Sequence, residues 1–321
     1  MASSFSLEER YANRGMIKVA LWCTIVVGVV FALLCWLAHD LSAPKRVSAI
    51  ERRASWLQTP AAHGVDIEEK WAGKTPYYIV HPSGALSQRG RTLRDQLEQR
   101  GVELPAFGQT DHLLVICHGR KGNKADMLPI AERYAAVGYR CLIPDLPAHG
   151  ESRWVRSHFG TRPEVRASLL ALIEAERQAN EGVVLWGMSM GGSFVAQLAT
   201  GKPEAIEAVI VINSFDELEN VVRKKVGRSL TVVLNWLSTH LYGFDVKAAN
   251  SRQAMAQVDV PVFIAHGDQD SLIPFAYGRR LYESVRSERR QWVEVSGADH
   301  YNVLITEHEL YADSVEFLRS E

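Results

Sequence analysis

The fold is decided by VVLWGMSMGGSF, residues 183–194. Val183, Val184, Leu185 and Trp186 read as a buried strand, and the chain then runs at once into Gly187, Gly191 and Gly192 around Ser189. Gly187-Met188-Ser189-Met190-Gly191 fits the spacing G-x-S-x-G, in which a strained strand-to-helix turn lifts a serine Oγ clear of the sheet. Bulky side chains two positions before and after the serine would collide with the turn and the adjoining strands, so glycine stands at both. Gly192 lets the new helix pack close, and the helix N-terminus favours negative charge developing beside Ser189. A five-residue pattern recurs by chance; the strand before it and the helix after it give this match its weight.

The flanking sequence supplies that context. HLLVICHG (112–119) and YRCLIPDL (139–146) read as strands, with helices around Met127–Val137 and Pro163–Asn180. After a helix from Ser189 to about Thr200 come the strands AIEAVIVIN (205–213), VPVFIAHG (260–267) and QWVEVSG (291–297), then a closing helix. Strands apolar on both faces that alternate with helices specify an α/β domain with a mostly parallel sheet, helices covering both faces. Ahead of it, VDIEEKWAG and PYYIVHP read as short strands, and RTLRDQLEQRG as an exposed helix ended by Gly101. Residues 214–258 carry helical signals between two strands over more chain than a crossover needs. They read as a helical cap over the site, or as a surface insertion that covers nothing.

A serine needs a base, and the base needs a carboxylate to orient it. Downstream of Ser189 stand His240, His266, His300 and His308. His300, in SGADHYN just past the last strand, is the best placed; His266 ends a strand and reads as a turn residue, and His240 and His308 as helix-surface residues. Asp268 and Asp270 in HGDQDSLIP and Asp216 in NSFDEL all follow strands, whereas Asp299 adjoins His300 and is poorly placed to reach its ring. Ser189, Asp270 and His300 run in the order serine, acid, histidine.

HGRKGN (118–123), PDLPAHGES (144–152), GMSMGG (187–192) and HGDQDSLIP with GADH (266–274 and 297–300) together resemble the α/β-hydrolase superfamily over about residues 65–321. The chain is most similar to its serine-hydrolase branch of small esterases, monoacylglycerol-lipase-like enzymes and their membrane-anchored relatives. The resemblance implies that Asp270, the second aspartate of HGxxD, is the acid and Asp268 a turn residue. It also implies an oxyanion hole from the backbone N–H groups of Met190 and Arg120, each contributing a few kcal/mol to the transition state. The Arg120 side chain, where an apolar residue is frequent, reads as solvent-facing or as a partner for an acidic substrate group. His149, Glu151 and Ser152 read as shaping a turn.

The N-terminus differs in kind. Ile17–Ala38 carries no charge beyond Lys18, is long enough to cross a bilayer, and has Trp22 and Trp36 near its ends. A buried helix would show a polar face, and the sites after the run suit signal cleavage poorly. It reads as an uncleaved single span after a polar tail at 1–16. Arg10, Arg14 and Lys18 before it nearly balance Lys45, Arg46, Arg52 and Arg53 after it, which leaves the orientation open. Residues 39–64 read as a basic linker. Val47, Ile50, Ala54 and Leu57 recur in it at helical spacing, as in a helix lying on an anionic membrane or a solvated spacer. Cys23 and Cys35 fall in the span, Cys117 and Cys141 in strands; no disulfide framework is implied, which fits a cytosolic domain.

The chain has 321 residues, 47% apolar, and a net charge of -1, enough for one large domain or two small ones. Near neutrality removes the electrostatic case for nucleic acid. No tandem repeat or metal-ligand spacing is seen, and no metal or organic cofactor is expected. The expectation is a membrane-anchored serine hydrolase of an acyl small molecule, lipids included. An acyltransferase or serine peptidase would use the same triad, and a non-catalytic adaptor would keep the fold without the chemistry.

Overall fold

The computed structural model describes residues 7–47, 53–179, 181–201, 204–307 and 309–320, with side chains from Met16 onward. The strands are β1 (Val65–Ala72), β2 (Thr75–Pro82), β3 (His112–Cys117), β4 (Tyr139–Pro144), β5 (Gly182–Met188), β6 (Ile206–Ile212), β7 (Val262–Gly267) and β8 (Arg290–Val295). They form one sheet in the order β1-β2-β4-β3-β5-β6-β7-β8. β1 and β2 make a hairpin, β2 runs antiparallel to β4, and every later pairing is parallel.

Each strand read from the sequence is present. Their apolar residues face two ways because side chains alternate along a strand. Leu113, Val115 and Cys117 of β3 join Val183 and Leu185 of β5 in one core, while Leu114, Ile116, Val184 and Trp186 join the other. The helices are α1 (Leu7–Ser42), α2 (Ala54–Gln58), α3 (Gln88–Gln99), α4 (Leu128–Ala135), α5 (Pro163–Glu176), α6 (Met190–Ala199), α7 (Leu218–Val226), α8 (Arg228–Tyr242), α9 (Ser251–Met255), α10 (Phe275–Glu283), α11 (Val303–Thr306) and α12 (Leu310–Arg319). Residues of α5, α6, α7, α8 and α10 complete the first core, and residues of α3, α4 and α12 the second. The sheet is thus covered on both faces.

The order of the strands places the site. From β3 the chain moves outward to β4, then returns across β3 to β5, so the direction of winding reverses between β3 and β5. Ligands of open α/β sheets bind beyond the carboxyl ends of the strands at such a reversal. Cys117 at the end of β3 lies opposite Gly187 near the end of β5, which sets the loop from His118 directly beside Ser189. The segment read as a cap forms α7, α8 and α9, between β6 and β7.

α1 is a helix of two characters. From Met16 to Ser42 it is long and apolar enough to cross a membrane, with mean hydropathy 2.5 over its most apolar window. Met16 through Leu33 are exposed, whereas Leu34, Cys35, Leu37 and Leu41 pack on the core and Ala38 and Ser42 are wholly buried. The stretch read as a linker is tied to the domain at several described residues, Ser42 and Trp56 among them. Arg46 spreads its guanidinium over the carbonyls of Gly150, Ser152 and Trp154. α2 spans five residues, and its Trp56 is buried with Nε1 donating to Glu132 at 2.9 Å. Ile50 and Arg52 of the proposed apolar-basic pattern, and His308, lie outside the described residues.

Candidate active site

Ser189 sits between β5 and α6 with φ 55° and ψ -119°, a left-handed conformation that costs an L-residue on the order of 1–3 kcal/mol. The surroundings hold it there. Its N–H donates to Ile212 O at 2.9 Å, and its carbonyl accepts from Gly192 N at 3.0 Å and Ser214 Oγ at 2.7 Å. The glycines explain themselves by distance. A Cβ at Gly187 would stand 2.3 Å from Gly191 O, one at Gly191 2.0 Å from Cys117 O, and one at Gly192 2.4 Å from Ser214 Oγ. Two of these three contacts are with backbone, which cannot swing aside.

His300 and Asp270 converge on the serine from the loops after β8 and β7. The Ser189 hydroxyl lies 3.1 Å from His300 Nε2, and His300 Nδ1–H donates to Asp270 Oδ2 at 2.7 Å. The other carboxylate oxygen accepts from Leu272 N and Ile273 N at 2.9 and 2.8 Å. All three side chains are buried, Ser189 8% exposed, His300 6% and Asp270 5%. The carboxylate partner leaves Nε2 free to accept from the hydroxyl, the tautomer that a general base requires.

The other candidates are engaged elsewhere. Asp216 accepts from Arg280 Nε at 2.6 Å and from Asn220 Nδ2 at 3.1 Å. Asp268 accepts from Gly297 N at 2.7 Å, tying the loop of Asp270 to that of His300. Asp299 caps its own turn by accepting from Tyr301 N and Asn302 N. His266 donates through Nε2 to Ile273 O at 2.9 Å, and burial lowers its pKa. His240 is exposed on α8.

Comparison with known proteins agrees with this architecture. The family model described as serine aminopeptidase, S33, matches residues 108–255. A thermostable monoacylglycerol lipase of Bacillus sp. is 22% identical over 210 residues, 60% of this chain and 83% of that one. The Pyrococcus furiosus esterase Pf2001 superposes with TM-score 0.59 at 15% identity, covering 86% of this chain and 98% of its own. A membrane phospholipase A described as a bacterial virulence factor superposes with TM-score 0.52 at 16% identity, over 95% and 98%. The chain has the α/β-hydrolase fold.

In this fold, Met190 opens α6 and Arg120 lies in the loop after β3. That loop closes against the elbow: a Cβ on Gly119 would lie 3.5 Å from Ser189 Cβ. His118, one residue earlier, donates through Nδ1 to Gly119 O at 2.8 Å and accepts Leu146 N–H at 3.1 Å through Nε2. Burial drops it to about 4 and the neighbouring His149 to about 3, His118 adding to the latter effect. Both are neutral struts of the loops. Glu151 reaches the buried Lys124 ammonium, which also pairs with Asp145, so it too serves the turn.

Two residues escaped the sequence reading. Asn213, with φ 46°, accepts from Gly267 N at 2.9 Å and donates to Asp299 O at 3.0 Å, joining the loops that carry Asp270 and His300. A polar residue ending the apolar run AIEAVIVI was the available signal. The second is Asp40. The Arg120 guanidinium, partly exposed, is engaged within the chain: its Nη2 donates to Asp40 Oδ2 and to Asp40 O, each at 2.5 Å. Nothing local marks a contact across 80 residues.

Proposed function

We propose that the chain is a serine hydrolase that cleaves a carboxylic ester or a related acyl compound. The observation that carries this reading is the unbroken line of hydrogen bonds from the Ser189 hydroxyl through His300 to Asp270. In it Ser189 attacks the acyl carbonyl while His300 Nε2 takes the hydroxyl proton. Asp270 holds the tautomer and stabilises the imidazolium. The backbone N–H groups of Met190 and Arg120 receive the developing oxyanion. His300 then protonates the leaving group, and water, activated by the same imidazole, releases the acid and restores Ser189.

The apolar run of α1 supports a second part of the proposal, that the enzyme is anchored in a membrane by Ile17–Ala38. The substrate class that suits both features is an amphipathic ester, as the neighbouring monoacylglycerol lipase and membrane phospholipase also imply. The serine aminopeptidase family description favours one rival, an amide substrate. A fluorophosphonate probe tests the chemistry: wild type labels and Ser189→Ala does not. Absence of labelling in the folded wild type would leave a non-catalytic adaptor. Matched panels of p-nitrophenyl esters and aminoacyl anilides then separate ester from amide.

A further inference from the structure

The last turn of α1 holds one proposed oxyanion donor residue, Arg120, directly and reaches the other, Met190, through Ser157. Asp40 receives Arg120 through both its carboxylate and its carbonyl. Ser42, wholly buried, accepts Ser157 N–H at 2.7 Å through its carbonyl and Arg156 Nη1 at 2.9 Å through its hydroxyl. Ser157 Oγ in turn donates to Met190 Sδ at 3.5 Å. Arg156 also stacks on Tyr242 of α8, whose hydroxyl donates to Cys35 O of α1 at 3.1 Å. One helix end is thus bonded to the loop after β3, to the segment that contacts Met190, and to the cap.

The loop at Arg120 needs such support. Its next residue, Lys121, holds φ 65°, and the turn is closed by a single Gly122 N to Gly119 O bond of 3.1 Å. On one side Gly119 rests against Ser189; on the other the Arg120 side chain is held by Asp40. Residue 120 is therefore strung between the nucleophile and α1, and the direction of its backbone N–H depends on both attachments.

We infer that Asp40, at the end of the apolar helix, is a positioning residue for the oxyanion hole, and that the helix is a working part of the catalytic site as well as a membrane anchor. The inference rests on the proposed reading of Ser189 and of the Arg120 N–H. As a partly exposed ion pair, Asp40–Arg120 contributes only about 0–1 kcal/mol to stability. A role confined to stability would therefore leave turnover almost unchanged. A displaced donor acts on the transition state alone and lowers kcat with KM retained.

The test uses the full-length chain in detergent, with a short p-nitrophenyl ester and its thionoester, whose sulfur is a weaker hydrogen-bond acceptor. Asp40→Ala is expected to lower kcat on the ester on the order of tenfold, less than the hundredfold or more for deleting a donor. KM should stay within twofold of wild type, to roughly the precision of the assay. The ester-to-thionoester rate ratio should shrink, which a merely structural loss would not cause. Asp40→Glu should restore most of the rate. Arg120→Met, which keeps the backbone N–H, should reproduce the loss, and the double variant should be no worse than either single one. Because Arg120→Met reaches the same contact from the other side, it decides the matter should Asp40→Ala fold poorly. Wild-type kcat and wild-type thiono ratio in a folded variant of either residue would overturn the inference. Failure of the underlying reading looks different: Ser189→Ala would keep its activity, or the wild type would not label with fluorophosphonate.

Discussion

Around Ser189 the chain is held by backbone pressed on backbone, with virtual Cβ distances of 2.0 and 2.3 Å at Gly191 and Gly187. Around Asp40 and Ser42 it is held by polar side chains reaching across from other elements, Arg120, Arg156 and Tyr242 among them. The first arrangement is all or nothing, since no small movement relieves a methyl group against a carbonyl. The second is graded, because each contact is a separate hydrogen bond worth about 0.5–1.5 kcal/mol, or more where a charge takes part. The proposed nucleophile is set by the rigid kind of contact, and the surroundings of the proposed oxyanion hole by the adjustable kind.

The sharpest break is at the elbow itself. Ser189→Ala should abolish ester hydrolysis, by on the order of a millionfold in turnover, with the thermal midpoint nearly unchanged. Retention of a tenth of the activity would move the nucleophile elsewhere. Asp270→Asn should cost on the order of ten-thousandfold by leaving His300 in the wrong tautomer, while Asp268→Asn, which weakens one loop tie, should stay within about tenfold of wild type. Gly191→Ala tests the all-or-nothing side. Overpacking of this kind costs roughly 3 kcal/mol or more, and circular dichroism should show a large fall in midpoint or no folded protein at all.

The docked end of α1 should fail by degrees. A chain starting at Leu34 keeps the packed turns and lacks the exposed run. It should cleave a short soluble ester at the full-length rate and lose preference for a vesicle-borne acylglycerol. A chain starting at Ala61 lacks Asp40, Ser42 and Arg46 as well, and should turn over the soluble ester about tenfold more slowly, the size expected for a misplaced donor. Equal rates for the two chains on the soluble ester would confine α1 to anchoring.

The smallest effect is one of pH. His149 adjoins Gly150, whose carbonyl Arg46 grips, and its pKa falls from 6.5 to about 3 in the folded protein because burial opposes the charge. The unfolded chain therefore takes up the proton first as pH falls. The stability held by the neutral ring is fully present above about 6.5 and declines as pH drops from there toward 3. His118 acts with the same sign. Thermal midpoints at pH 7 and 5 should differ less in His149→Asn than in wild type; equal differences would mean that the ring charges in the fold.

The contrast between the two regions also explains what the sequence could tell. Glycines at 187, 191 and 192 are local requirements, each met within a few residues of Ser189, so a short stretch discloses the turn. The apolar runs of β3 to β7 are equally local, because a strand buried on both faces has few polar residues to spare. Asp270 needed more than spacing, since Asp216 and Asp268 also follow strands, and it is their partners, Arg280, Gly297 and for Asp270 His300, that tell them apart. The docking of residues 34–47 was not legible at all. Lys45 and Arg46 look like any basic flank of an apolar helix, and the carbonyls that Arg46 grips lie more than a hundred residues away. A polar side chain that satisfies remote backbone leaves no periodicity to read.

The unbroken passage of α1 from its exposed run into its buried last turn bears on how the enzyme would meet its substrate. Because the last turn packs on the core, tilting one would tilt the other. On a bilayer such a molecule would explore a plane with its mouth at a constant height and bearing, so that encounters become a two-dimensional search with orientation settled beforehand.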